Sequence, residues 1–242
     1  MRTIGIIGAM DEEIVLLKEK AEITSVEHLL GLDFYRGKLY QKDIVLVRCG
    51  IGKVNAAACV QVLVDRFSVD CIINTGVAGA IYHRLQIGDI VISHDAVQHD
   101  MDTSVLGDPV GIIPRMEESY FHADKRLMAL AKKAGEQMET KHNIFLGRIA
   151  SGDQFISTKP QKQRIWNTVG GYCAEMEGGA IAHVCYLNQI PFVIIRSISD
   201  KAEGEAGMDF AEFVHIAAKN SGELVENMLR LMTEEEKNSP QN

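Results

Sequence analysis

The segment AEMEGGAIAHVC places two carboxylates two residues apart, Glu175 and Glu177, just before an apolar, helix-like stretch. If residues 171–176 form a strand, alternate side chains share a face, so both carboxylates point to the same side. Two adjacent glycines allow close backbone approach, so the pair could bind hydroxyl groups or stabilise a positive charge. A solvated strand edge is the alternative that these residues alone leave open.

A further acid, Asp200, ends the apolar, strand-like segment PFVIIRSISD. Ser199 precedes it and could orient its carboxyl group, and Arg196 lies earlier in the same segment. A carboxyl group at a strand end in a dry pocket can have a raised pKa and act as a general acid. Capping of the next segment is the alternative role for this residue.

Three acids follow the first strand-like segment in GAMDEE: Asp11, Glu12 and Glu13. Asp11 could cap a helix, and the other two could lie on its solvated face, which is the usual position of a charge run. A carboxylate that pointed inward would instead supply a base for activating water.

Strand and helix patterns alternate along nearly the whole chain. We expect a strand over 3–8, a helix over 12–20 and a hairpin of strands over 33–40 and 43–49. This hairpin predicts a mixed rather than a purely parallel sheet. Residues 98–121 are rich in Asp, Gly and Pro with poor periodicity, which predicts a long loop of the kind that often carries function.

No repeat or linker divides the chain, so we predict one α/β domain over 1–232 and a disordered polar tail over 233–242. Most polar clusters follow predicted strands: GAMDEE, RCGIGK, NTGVAGA, ASGDQF, AEMEGG and RSISD. In open α/β sheets, ligands bind in the crevice at the carboxyl ends of the strands. The sequence therefore predicts a small-molecule site at that edge.

Composition excludes several classes of partner. The formal net charge is -8 and Lys and Arg are not clustered, which argues against a nucleic-acid surface. No apolar run reaches the ~20 residues of a membrane span, and MRTIGIIGAM does not resemble a secretory signal, so a cytoplasmic protein is expected. The five cysteines lack CxxC spacing and are predicted to be buried free thiols: Cys49, Cys59, Cys71, Cys173 and Cys185. No metal site is expected, because the histidines are scattered.

The glycine turns do not match the common cofactor patterns. RCGIGKV does not fit a P-loop, because the residue before it, Val47, stands where a P-loop begins with glycine, and Val54 stands where it ends with Ser or Thr. GIIGAM lacks the third glycine and the spacing of a dinucleotide fingerprint, so no cofactor is expected. In NTGVAGA, by contrast, small residues would let the main chain approach a flat or sugar-like ligand.

Seven motifs together resemble a known family: GIIGAMDEE, CGIGKVNAA, INTGVAGA, the GD of IGDIV, SGDQF, EMEGGAIAHVC and RSISDKA. Their order and spacing, over about residues 4–228, are similar to those of the 5′-methylthioadenosine/S-adenosylhomocysteine nucleosidases. The resemblance implies a single three-layer α/β domain in which helices flank a central mixed, partly barrel-like sheet, as in the purine nucleoside phosphorylase superfamily. It also implies a cytosolic, cofactor-free homodimer that hydrolyses the N-glycosidic bond of a small-molecule nucleoside and releases adenine.

The resemblance assigns roles to the acids. Glu13 is implied to activate the attacking water, and Asp200, held by Ser199, to protonate adenine at N7. Glu177 is implied to bind the ribose hydroxyls, with Glu175 nearby. These roles suit a reaction that passes through an oxocarbenium-like sugar, which needs an acid at the base, a base for water and a carboxylate at the ribose.

The resemblance also implies the walls of the site. Phe155 would stack on adenine while the backbone of Ile156 reads its edge, and Met10, Met176 and Phe210 would line the ribose and alkylthio side. Further expected substrate contacts are Ile51, Ala78, Gly79 and Arg196. The residues expected to close the 5′ pocket of a partner subunit are Leu106 and Pro114. One departure is Val77, where some relatives carry serine.

Two other functions remain open. A phosphorylase, which uses phosphate instead of water, would need several basic side chains around an anion, and the glycine turns offer mainly Arg48 and Lys53. A non-catalytic nucleoside sensor would keep the fold without the acids, yet Glu13, Glu177 and Asp200 are all present. The substrate stays open among methylthioadenosine, adenosylhomocysteine, 5′-deoxyadenosine and aminodeoxyfutalosine.

Overall fold

The structure is a computed structural model that describes residues 3–139, 142–203 and 206–238. The strands of these residues are β1 Thr3–Gly8, β2 Glu22–Leu29, β3 Leu32–Leu39, β4 Lys42–Arg48, β5 Cys71–Ala80, β6 Ile90–Gln98, β7 Phe121–His122, β8 Ile144–Ser151, β9 Cys173–Glu175 and β10 Phe192–Asp200. The helices are α1 Asp11–Lys20, α2 Lys53–Phe67, α3 Lys125–Glu136, α4 Lys159–Val169, α5 Gly178–Asn188 and α6 Ala206–Asn238. A single 3-10 turn, Ser104–Leu106, interrupts the predicted long loop.

The strands form one mixed sheet in the order β10-β6-β8-β9-β5-β1-β4-β3-β2, with β7 beside β6. Because β10 also pairs with β5, the five strands β5, β10, β6, β8 and β9 close into a barrel. The β3–β4 pair is antiparallel, whereas β1 lies parallel to both β4 and β5. The predicted hairpin and the predicted mixed, partly barrel-like α/β sheet are thus confirmed.

Apolar side chains cover both faces of the sheet. On β1, Ile4 and Ile6 belong to one buried cluster and Ile7 to the other, as the alternation of a strand requires. Helices α2 and α5 pack on the Ile7 face, and α1, α3 and α6 pack on the Ile4 face. These three layers hold the carboxyl ends of β1, β5, β9 and β10 against one another.

Strand β2 was not predicted from the sequence. Most of its residues are exposed or half-buried, because it lies at the edge of the sheet and pairs only with β3. Its sequence, EITSVEHL, therefore lacks the apolar run of a buried strand. The hairpin is in fact the second half of a three-stranded meander.

The predicted tail needs a correction at its beginning. Helix α6 continues to Asn238, so residues 233–238 are helical and not disordered. Contacts with the β3–β4 region stabilise this last part: the Thr233 hydroxyl donates to the Tyr40 carbonyl at 2.5 Å, and Lys42 pairs with Glu236. Residues 239–242 lie outside the described part of the chain.

Two composition-based expectations can be compared with the structure. All five cysteines are buried free thiols, as predicted. None of the helices in the described ranges is long and apolar enough to cross a membrane.

Candidate active site

A cavity of about 410 Å³ opens at the carboxyl ends of β1, β5, β9 and β10, where the sequence predicted a ligand site. Twelve of the sequence-predicted residues line it: Met10, Glu13, Ile51, Ala78, Gly79, Phe155, Glu175, Met176, Glu177, Ser199, Asp200 and Phe210. Three further lining residues were not on that list: Ala9, Val77 and Ala174. Ala9 directly follows β1, Val77 lies in β5 and Ala174 in β9, each next to a predicted residue in the sequence. Their side chains are small or apolar, so the sequence analysis did not select them as substrate contacts.

Glu13 points inward from the first turn of α1 and is buried. Its Oε2 accepts hydrogen bonds from the backbone N–H groups of Ala9 and Met10, at 2.6 and 3.1 Å, and its Oε1 accepts one from Val77 at 3.0 Å. Burial raises the pKa of Glu13 above its ordinary value, although Arg196 and these three donors oppose the rise. A buried carboxylate with a raised pKa is suited to accept a proton near neutral pH.

Glu175 ends β9 and forms a network behind the cavity with Arg196 and Ser151. Arg196 pairs with one carboxylate oxygen of Glu175, and the Ser151 hydroxyl donates to the other. The same guanidinium donates to Asn74 Oδ1 at 2.6 Å and is almost fully buried. Arg196 therefore does not line the cavity; its contacts position Glu175 and place a positive charge behind the acids.

Glu177 follows the end of β9, so the strand alternation that was expected to align it with Glu175 does not apply. The strand stops at Glu175, and Glu177 is the residue that precedes α5. Its Oε1 accepts the backbone N–H of Gly52 at 2.8 Å, from a glycine with φ of 99° in the RCGIGK turn. Burial and the neighbouring Glu175 raise the pKa of Glu177 to about 8. Both carboxylates still reach the cavity.

Asp200 enters the cavity at an irregularity of the sheet. The β5–β10 register shifts between Ile198 and Asp200, which leaves Ser199 as the extra residue of a bulge. The Ser199 hydroxyl donates to Asp200 Oδ2 at 2.9 Å, and the Ala202 N–H donates to Oδ1 at 2.8 Å. Burial raises the pKa of Asp200, although both donors lower it. A raised pKa keeps the carboxyl group protonated at higher pH, so that it can act as a proton donor.

Apolar residues form the remaining walls. The Phe155 and Phe210 rings meet edge to face with centroids 5.8 Å apart, and Phe210 also packs with Met10 and Val77. Phe155 is 47% exposed and Ile51 is 55% exposed, so both lie at the mouth of the cavity. A planar ring and an apolar substituent could both be covered here.

Three predicted residues besides Arg196 do not line the cavity. The Ile156 side chain is buried in a separate apolar cluster with Ile81 and Val97, so its predicted role concerns the main chain alone. Leu106 is 79% exposed and Pro114 is half-buried, both within the long loop. Their predicted contact with a partner's pocket stays a prediction.

No group of three or more His, Cys, Asp and Glu residues within the described ranges is arranged to hold a metal ion.

Comparison with known proteins gives the family. The family model of the phosphorylase superfamily matches residues 3–230. A 5′-methylthioadenosine/S-adenosylhomocysteine nucleosidase of Staphylococcus carnosus (strain TM300) is 47% identical over 230 residues, which cover 94% of this chain and 99% of the relative. The chain belongs to the 5′-methylthioadenosine/S-adenosylhomocysteine nucleosidase family.

Solved structures of similar proteins agree with this family and confirm the resemblance drawn from the motifs. The nucleosidase from Neisseria meningitidis in complex with methylthio-immucillin-A is 36% identical, with a TM-score of 0.92 over 96% of this chain and 100% of that one. The futalosine hydrolase of Helicobacter pylori strain 26695 is 33% identical, with a TM-score of 0.89 over 94% of this chain and 97% of that one.

Proposed function

We propose that this nucleosidase family member hydrolyses the N-glycosidic bond of 5′-methylthioadenosine and S-adenosylhomocysteine. The products are adenine and the ribose that carries the 5′-thio substituent. The observation that carries the proposal is that three carboxyl groups with raised pKa, Glu13, Glu177 and Asp200, line one largely apolar cavity. Perturbed carboxyl groups that converge in a cleft are typical of catalytic sites.

The proposed reaction begins at the purine. Asp200 donates its proton to adenine N7 while the bond between N9 and C1′ breaks, and the bonding electron pair leaves with the base. The sugar becomes oxocarbenium-like, and water attacks C1′ while Glu13 accepts the proton that the water loses. Each of these proton transfers typically accelerates a reaction by ~10²–10⁴-fold.

The remaining groups bind the substrate in this proposal. Glu177 accepts or donates hydrogen bonds at the ribose hydroxyls, since it faces the cavity between Met176 and the Gly52 turn. Phe155 stacks on adenine, and Met10 and Phe210 cover the sugar and the thio substituent. Glu175 lies in the cavity wall next to Met176 and Glu177, and Arg196 acts behind it through its contacts with Glu175 and Asn74.

Water rather than phosphate is the proposed nucleophile. All the charged residues that line the cavity in the described part of the chain are acids. The two basic candidates of the glycine turns are engaged elsewhere, since Arg48 pairs with Asp11 at 3.1 Å and Lys53 with Asp100 at 2.6 Å. A phosphate dianion would therefore meet like charge without the basic groups that it needs.

A homodimer in the cytosol is part of the proposal. Ile51 and Val54 are exposed beside the cavity, and Val105 and Leu106 are exposed on the long loop. Large exposed apolar residues beside a site are typical of a surface that a partner subunit covers. The five free thiols suit a reducing compartment.

Adenine release tests the proposal. The purified chain is mixed with 5′-methylthioadenosine in phosphate-free buffer, and adenine and methylthioribose are quantified. We expect turnover that is unaffected by added phosphate, ~10²–10⁴-fold slower in Asp200→Asn. The matched control is Asp65→Asn, an exposed aspartate of α2.

Turnover only with phosphate would identify a phosphorylase, and binding without turnover would identify a sensor. Parallel assays with 5′-deoxyadenosine and aminodeoxyfutalosine rank the substrates.

A further inference from the structure

The peptide group between Lys201 and Ala202 connects two hydrogen bonds. Its carbonyl oxygen accepts from the Lys162 ammonium, with Nζ 2.8 Å from the oxygen. Its N–H, on Ala202, donates to Asp200 Oδ1 at 2.8 Å. One peptide group thus joins a cation on α4 to the carboxyl group that lines the cavity.

The turn that contains this peptide is held in an unusual conformation. Ala202 has a φ of 52°, in the left-handed region that residues other than glycine rarely adopt, and it is fully buried. Lys201 anchors the turn on its other side, where its Nζ donates to the Leu85 carbonyl at 2.6 Å and to Gln86 Oε1 at 2.8 Å. Such conformations persist only where the surroundings hold them, and they concentrate at functional sites.

Lys162 is itself partly buried for this contact. Its side chain is 18% exposed, in a second cavity of about 260 Å³ that Lys159 and Glu203 also line. The Glu203 carboxylate lies 3.9 Å from its Nζ, so the Lys201 carbonyl is the nearer partner. Burial lowers the pKa of Lys162. A partly desolvated ammonium directed at a backbone carbonyl suggests that this contact has a purpose beyond a surface ion pair.

We propose that Lys162 is a positioning residue that fixes the Lys201–Ala202 peptide, and through it the Asp200 carboxyl group, for proton donation. This inference rests on the proposed function of Asp200 as the acid at adenine. Lys162 lines the second cavity and not the proposed active-site cavity, so it does not contact the substrate.

The mechanism is electrostatic and geometric. A cation at the carbonyl polarises the peptide and strengthens its N–H as a donor, as in any hydrogen-bonded chain. The Ala202 N–H can only donate, so Oδ1 stays an acceptor, whereas the Ser199 hydroxyl beside Oδ2 can rotate when that oxygen carries the proton. Lys162 thereby helps to select which oxygen donates.

Lys162 also affects the proton affinity of Asp200. The charge of Lys162 lowers the pKa of Asp200, against burial and against Asp209 on α6, which raise it. The other titratable groups near this corner are Cys173 on β9, Lys159 on α4, Lys201 and Glu203 in the turn, and His83, which also lines the second cavity. Loss of the Lys162 charge should therefore raise the pKa of Asp200. Because the protonated acid is the active form, the basic limb of the pH profile should move to higher pH.

Three variants test the proposal with 5′-methylthioadenosine as the substrate. Lys162→Met removes the charge and keeps an unbranched side chain one atom shorter, Lys162→Arg restores a donor, and Lys159→Met removes a charge from the same second cavity. We expect Lys162→Met to lower kcat by ~10-fold with KM within ~2-fold, since misplacement of a catalytic group affects the chemical step. Its basic limb should move to higher pH, because the charge that lowers the pKa of Asp200 is lost. Lys162→Arg should recover most of kcat, and Lys159→Met should behave like the unchanged chain.

The outcomes separate this inference from the proposed function. Failure of the unchanged chain to release adenine overturns the proposed function, and this inference with it. If the unchanged chain is active, an unshifted basic limb in Lys162→Met, or an equal shift in Lys159→Met, overturns the positioning role alone. Thermal unfolding is followed in parallel. A loss of kcat that tracks a lower Tm in both Lys162 variants would assign the lysine a purely structural role and contradict the proposal.

Discussion

At the scale of single residues, burial raises the pKa of Glu13, Glu177 and Asp200, and hydrogen-bond donors limit the rise at each. The donors are backbone N–H groups at Glu13 and Glu177, and one N–H with one hydroxyl at Asp200. Such fixed donors do not reorganise as charge moves during a reaction. The proposed acid and base thus differ in chemistry through their surroundings, not through residue type.

The pH profile of kcat/KM should be bell-shaped. The proposed reaction needs ionised Glu13 and protonated Asp200, and both pKa values are raised from their ordinary values of 4.5 and 3.8. As pH decreases, activity should fall when Glu13 gains its proton, and the midpoint of this acid limb should lie above 4.5. As pH increases, activity should fall when Asp200 loses its proton, at a pKa that burial raises above 3.8. Measurement from about pH 4 to about pH 10 checks this. An acid limb below 4.5 would contradict the role of Glu13.

Glu177→Gln should stabilise the protein at high pH. The unfolded chain ionises this residue near its ordinary value of 4.5, whereas the folded chain retains the proton up to about 8. The folded state therefore binds more protons between these values, so its stability falls as pH rises through them. Glutamine does not ionise, so the difference in Tm between the variant and the unchanged chain should grow from pH 5 to pH 8. Each kcal/mol of unfolding free energy that the unchanged chain loses should add roughly 2–4 °C to this difference.

The control for that stability measurement is Glu117→Gln, which alters an exposed glutamate of the long loop. Its Tm should follow the unchanged chain at every pH. A Tm difference for Glu177→Gln that does not vary with pH would show that the buried charge is not what destabilises the folded state. Activity should fall in Glu177→Gln although its stability rises, since residues that a functional site needs often destabilise the folded state.

At the scale of elements, the close approach of α1 to β5 depends on Gly76. A Cβ at this position would overlap Glu13 Oε1 and lie 3.3 Å from Arg196 Nη1. The overlapped atom is the end of a flexible side chain, so Gly76→Ala should move the Glu13 carboxylate more than it unfolds the sheet. We expect kcat to fall by at least ~10-fold with a small change in Tm, because catalytic rates depend strongly on position.

The matched control for Gly76→Ala is Gly207→Ala in the first turn of α6. A Cβ there would meet no atom within 4 Å, so activity and Tm should stay near those of the unchanged chain. Full activity in Gly76→Ala would contradict the account of Glu13 as the proposed base. A large loss of Tm in that variant would instead assign the glycine to the packing of the sheet.

The elements also show how far sequence patterns reach. Strand ends and their polar clusters were predictable, because apolar runs and glycine turns are local signals, and these clusters contain Glu13, Glu177 and Asp200. The family resemblance, not the local pattern, selected Glu13 from GAMDEE and gave Glu177 its role. The pairing of β10 with β5 joins distant parts of the chain, so the contact of Arg196 with Asn74 could not be predicted from local sequence patterns. Lys162 is another such case, since its partner is a carbonyl 39 positions along the chain.

At the scale of the whole molecule, the exposed apolar residues of the long loop predict self-association. Val105 is 94% exposed and Leu106 is 79% exposed. The double variant Val105→Asp with Leu106→Asp should weaken the proposed dimer by at least ~10-fold, because charge is unfavourable in an interface core. Sedimentation across a concentration series measures this. Val26→Asp, on the exposed edge strand β2, is the control, and a monomeric unchanged chain would contradict the proposal.

The most direct test of the central claim is the fate of oxygen in labelled water. The unchanged chain is given 5′-methylthioadenosine in water enriched in oxygen-18, with inorganic phosphate present, and the sugar product is analysed by mass spectrometry after short times to limit exchange at C1. The acid-lined cavity predicts one labelled oxygen in free methylthioribose and adenine in equal amount. A sugar 1-phosphate without the label would contradict hydrolysis and place this chain with the phosphorylases.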